Sequence, residues 1–159
     1  MNQGARANRA GHVLETTVEG TLRGHGYFPV SSPVRKQYRE NILNSTLLPK
    51  RYARNVYIGE GIYQTDLYVD FYIIGSTAIP SGLIIECKWQ ESSGSVDEKF
   101  PYLNLSIKDC YPEPTIVVVG GKGMRQGAVD WFQKQVNNNQ NLLGVHKLEN
   151  FIAWANKNL

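Results

Sequence analysis

Glu86 and Lys88 stand one residue apart, directly after the apolar run Leu83, Ile84 and Ile85. Side chains alternate along a β-strand, so Glu86 and Lys88 share one face while Ile85, Cys87 and Trp89 share the other. Charge is rarely placed on a buried strand without a use. An acid two residues before a lysine arises about once by chance in a chain of this length and ordinary composition, so the setting carries the signal. Part of that setting is residues 62–74, a β-branched and aromatic run interrupted by Asp66 and Asp70. Aspartate is depleted in strands, so both interruptions ask for a reason. Asp70 is the better partner for Glu86 because the continuous apolar run 71–74 follows it; Asp66, of the same parity, is the competitor. Asp70, Glu86 and Lys88 together suit metal-assisted phosphodiester hydrolysis. Two carboxylates can hold Mg²⁺ while the ion keeps several waters and takes a phosphate oxygen. The ion acidifies a bound water and offsets charge on the leaving oxygen. A lysine beside that water positions it or helps remove its proton. The plain alternative is a buried Glu86–Lys88 ion pair used for packing.

The elements around these residues follow from periodicity and turn chemistry. Gly, Ser and Pro residues in 75–82 predict a hairpin connection, making 62–74 and 82–90 antiparallel neighbours. Residues 11–23 predict an amphipathic helix through Leu14, Val18 and Leu22, ended by Gly24 and Gly26. Glu15 and Glu19 lie one turn apart on its flank, and solvation is the plain reading, favoured for Glu19. Residues 27–30 predict an edge strand, because Pro29 has no N–H to donate. Ser95 to Glu98 has the form of a capping box, and Pro101 fits only the first turn of the helix that follows. Residues 114–119, apolar without alternation, predict a strand covered on both sides. A helix over 124–136, a short strand over 142–146 and a closing helix over 148–159, with Phe151, Ile152 and Trp154 inward, complete the order. Strands first in a meander and then alternating with helices predict an α/β fold, a mixed central sheet with helices on both faces.

The chain has 159 residues and a net charge of +3, enough for one domain with a real core. No apolar run reaches the roughly 20 residues of a membrane span, and the expectation is a soluble, cytoplasmic protein. Cys87 and Cys110 are read as ordinary thiols. Charge is uneven: Arg35, Lys36, Arg39, Lys50, Arg51 and Arg54 crowd one stretch, interleaved with tyrosines and opposed by Glu40 alone. Residues 31–57 are therefore read as a basic insertion that meets a nucleic-acid backbone.

The turn Gly120-Gly-Lys-Gly123 invites a nucleotide-binding reading and fails it. Its spacing departs from G-x-G-x-x-G, and no Ser or Thr follows a Gly-Lys pair. It is read as a tight turn with Lys122 and Arg125 facing a DNA phosphate. His12, His25 and His146 have no metal-ligand spacing.

With these residues in hand, the chain resembles the PD-(D/E)XK nuclease superfamily. Val69-Asp70 stands where the family has Pro-Asp, and Glu86-Cys87-Lys88 is its E-X-K triplet. Gly11 to Glu15 resembles the Gly-x-x-x-Glu signature of the first helix in resolvase-like members, and the likeness covers roughly residues 11–136. It implies that Asp70, Glu86 and the Cys87 carbonyl ligate Mg²⁺, with Mn²⁺ able to substitute, and that Lys88 activates water. It implies further that Glu15 orients a water or a second ion. Gln90, on the face of Lys88, is expected to reach substrate, a surface amide being the alternative. The expected activity is a DNA endonuclease of restriction, homing or junction-resolving type acting on double-stranded or branched DNA. A homodimer or higher oligomer is expected, since cutting both strands needs two sites. A non-catalytic nucleic-acid-binding or assembly module on the same fold is the alternative.

Overall fold

A strand in which every residue is apolar must be covered on both sides, and the architecture grows outward from such a strand. The computed structural model describes residues 3–31, 34–45 and 47–159, the side chains of 3–8, 35 and 38 excepted. In chain order the elements are α1 (Gln3–Gly24), β1 (Phe28–Pro29), α2 (Tyr38–Asn44), β2 (Arg51–Glu60), β3 (Asp66–Ile74) and β4 (Leu83–Trp89). Then follow α3 (Phe100–Asp109), β5 (Thr115–Gly120), α4 (Gln126–Lys134), β6 (Leu142–Lys147) and α5 (Leu148–Asn158). The six strands lie in sequence order. β2, β3 and β4 form an antiparallel meander, β5 and β6 add in parallel to β4, and β1 pairs in parallel with β2 at the other edge.

Two apolar layers sandwich this sheet. On one face Leu14, Val18 and Leu22 of α1 and Phe151 and Ala155 of α5 pack on Phe71, Ile85, Ile116 and Val118. On the other, Ile42 of α2, Phe100, Leu103 and Ile107 of α3, and Val129 and Phe132 of α4 pack on Ile84, Val117 and Val119. Burying each such side chain stabilises by roughly 1.5–3 kcal/mol. The result is the expected α/β fold with helices on both faces. No helix among the described residues is long and apolar enough to cross a membrane.

Several local expectations need correction. β2 occupies residues read as the end of a basic insertion, and among the insertion's described residues only Arg35–Asn44 form short helical turns. Arg51 reads as a surface cation but is buried, its guanidinium donating to the carbonyls of Ile42, Leu43, Leu48 and Pro49. The capping box makes no side-chain cap bond; Pro101 does sit in the first turn of α3. Ile152 faces outward, 37% exposed, because Phe151 and Ala155 define the buried stripe of α5.

Candidate active site

The site forms where two neighbouring strands part. β3 and β4 pair only from Ile73/Leu83 to Phe71/Ile85. Beyond that point the Cys87 N–H donates to Oδ2 of Asp70 at 2.7 Å, a side-chain acceptor standing in for the missing ladder carbonyl. Asp70 also marks a break in alternation. Val69 and Tyr72 pack in the same apolar layer, as do Ala53 and Val56 on β2, so both strands skip a beat at facing positions. Asn55, opposite Asp70, has φ +51°. Such paired irregularities bend strands and re-aim side chains.

The carboxylates meet at Lys88, whose Nζ lies 3.0 Å from Oε2 of Glu86 and 3.7 Å from Oδ2 of Asp70. Glu86 sits beneath the surface at 4% side-chain exposure, whereas Lys88 and Asp70 are near 30%. The Tyr111 hydroxyl donates to the other Glu86 oxygen. Burial pushes Glu86 up to about 7, Lys88 pulling it back and Asp70 reinforcing the rise. Burial alone would lower Lys88, but Glu86 and Asp70 outweigh it and hold the ammonium above the ordinary lysine range. The Tyr111 phenol is driven far up, by burial first and then by facing Glu86. Lys88 opens onto a cleft lined also by Gly11, His12, Glu15, Cys87 and Trp89.

The donor set fits a hard divalent cation. Two carboxylates converge on one ammonium, a cation already lying between them, and oxygen donors are what Mg²⁺ prefers. No cluster of three or more metal-ligating side chains occurs among the described residues, so further donors would come from backbone, such as the Cys87 carbonyl, and from water or substrate.

The remaining expected site residues are placed less uniformly. Glu15 reaches the cleft, but Arg54 holds its Oε2 at 2.5 Å and Glu19 at 3.2 Å. Glu19, read as solvated, also accepts from the Tyr52 hydroxyl at 2.5 Å. Asp66 lies away from the site, 2.8 Å from Lys36, so it is Asp70 that joins Glu86. Gln90 is buried, not presented to substrate. Its amide donates to the Gly123 carbonyl at 2.8 Å and accepts from Asp97 N–H at 3.0 Å. Arg125, expected on a phosphate, grips both oxygens of Asp97 at 2.8 and 3.0 Å. Lys50 donates to the carbonyls of His25 and Leu159, and Arg39 reaches Tyr72. Lys122 is exposed without a partner among the described residues; the Arg35 side chain lies outside them. Tyr111 went unmarked, and His12 was set aside for want of metal-ligand spacing. Tyr111 follows a helix end and His12 is a lone histidine, and no spacing rule picks out either.

Residues 6–159 match a family model described as a PD-(D/E)XK nuclease superfamily domain. No curated protein and no solved structure matches the chain. That match spans nearly the whole length, including the strand pair that carries Asp70, Glu86 and Lys88: the chain belongs to the PD-(D/E)XK nuclease superfamily.

Proposed function

We propose that this protein is a Mg²⁺-dependent DNA endonuclease that hydrolyses phosphodiester bonds. The observation that carries the reading is the convergence of Asp70 and Glu86, from adjacent strands, on Lys88 at the mouth of an open cleft. Asp70, Glu86 and the Cys87 carbonyl would hold the ion. Bound there, Mg²⁺ supplies Lewis acidity to a phosphate oxygen and lowers the pKa of a water.

This chain's own groups do the positioning. The Cys87 N–H fixes the Asp70 carboxylate, and Tyr111 fixes Glu86. Lys88, held cationic by its neighbours, donates to the attacking water or to the phosphate and stabilises the negative charge that develops there. Glu15, braced by Arg54, faces the cleft as the group that orients water from the far side. Gln90 acts at one remove by tying the strand end to the glycine turn. Cleaving both strands of a duplex calls for two such sites, hence a homodimer or higher oligomer.

The test is incubation with supercoiled plasmid, linear duplex and a four-way junction, each with Mg²⁺ or chelator. Wild type should cut in Mg²⁺ alone. Lys88→Ala should abolish cutting and leave DNA binding largely intact; a fully active Lys88→Ala protein overturns the assignment. Salt-sensitive binding without nicking on any substrate would instead support a non-catalytic binding module.

A further inference from the structure

Most cations expected to meet nucleic acid are already paired within the chain: Lys36, Lys50, Arg51, Arg54 and Arg125 all have partners, Lys36 and Arg125 at the surface. Lys122 and Lys147 have none among the described residues, and both line the same cavity of about 550 Å³. Sites for small organic ligands run from roughly 300 to 1,000 Å³.

Topology explains where this cavity lies. The chain leaves β5 for α4 on one face of the sheet and leaves β6 for α5 on the opposite face. Open α/β sheets take ligands in the crevice between such diverging connections, outside the carboxyl ends of the strands. Trp89 forms a wall common to this cavity and to the cleft that holds Glu15 and Lys88. Gly120 lets the indole lie there, since a Cβ at that position would stand 2.7 Å from the ring. Glu149 on the lining offsets one of the two lysines, leaving the single positive charge that one backbone phosphodiester matches.

We propose that this cavity is a nucleotide subsite for the strand being cut. A base next to the scissile phosphate stacks on Trp89, as bases do on aromatic platforms, and its phosphate lies between Lys122 and Lys147. The inference rests on the nuclease reading and narrows its substrate. A base reaches a crevice only out of its stack, so the preferred DNA has an unpaired nucleotide beside the cut, as at a branch, fray or single-stranded end.

The experiment uses the full chain carrying Lys88→Ala, without divalent ion, so that binding is read whether or not the protein cleaves. Labelled single strand, splayed junction and intact duplex are titrated by fluorescence anisotropy at several salt concentrations. Adding Lys122→Ala with Lys147→Ala should weaken single-strand and junction binding about tenfold, and flatten the salt slope by about 0.7 for each phosphate no longer neutralised. Duplex binding should change less. Lys134→Ala with Lys157→Ala, removing equal charge from exposed ends of α4 and α5, should change neither. An unchanged affinity, an equal weakening in the control pair, an equal weakening on duplex, or a mononucleotide competing as well as the strand would each overturn the subsite.

Discussion

Protonation at the centre turns on Glu86, which burial lifts to about 7 while the Tyr111 hydroxyl holds it down. Tyr111→Phe removes that donor. A hydrogen bond of about 1 kcal/mol net corresponds to somewhat less than one pH unit, so in the metal-free protein the Glu86 titration, followed by NMR, should move to higher pH by roughly half a unit to one. An unmoved titration would show that Tyr111 does not reach the carboxylate. Arg54 invites a second substitution, because it braces both Glu15 and Glu19 at part-buried positions. Arg54→Ala should lower unfolding stability by about 1.5–3 kcal/mol, the range for hydrogen bonds to charged groups, measured by urea titration. Glu86 and Lys88 were legible as a same-face pair because a strand has a period of two, whereas Asp70 was picked out from Asp66 by the apolar run 71–74 that follows it. Tyr111 was not, since nothing local places a residue after a helix end against a strand two elements earlier. Gln90 has the right parity and the wrong neighbours: the Gly123 carbonyl claims one end of its amide and the Asp97 N–H the other.

At the scale of elements, that glycine turn is a joint. A Cβ on Gly121, whose φ is +97°, would lie 2.1 Å from the Gln90 carbonyl oxygen, and one on Gly123 would lie 2.2 Å from that of Ser92. Gly121→Ala should therefore cost at least about 2 kcal/mol from left-handed strain and collision together, read as a lowered urea midpoint. The same joint is pinned by Asp97, which Arg125 holds down to about 2, against 3.8 ordinarily. A carboxylate lowered on folding contributes stability above its unfolded pKa and loses it as pH falls through the folded one. Thermal stability of wild type should drop between about pH 4 and pH 2, and Asp97→Asn should flatten that part of the curve while melting lower at neutral pH. α1, α4 and α5 were readable from periodicity, and β5 from an apolar run without any. β2 escaped because Arg51 and Arg54 look like loop charges. Only the folded chain supplies the carbonyls and carboxylates that neutralise them.

For the molecule as a whole, the eight cations read as meeting nucleic acid overstate what DNA can meet. Neutralising about eight phosphates would give a salt slope of about −7 on duplex DNA. With Lys36, Lys50, Arg51, Arg54 and Arg125 engaged internally, the slope should be no steeper than about −4, measurable by anisotropy in the Lys88→Ala background. A steeper slope would mean that these side chains leave their partners on binding. The sheet itself offers a gauge of the centre's state. Because the amide of Cys87 is bonded to a side-chain carboxylate and not to a neighbouring strand, its proton is sheltered only while Asp70 stays put. Deuterium uptake at that one amide should slow when Mn²⁺ or Mg²⁺ anchors the carboxylate it holds, turning a backbone proton into a spectroscopic readout of ion capture that needs no DNA at all.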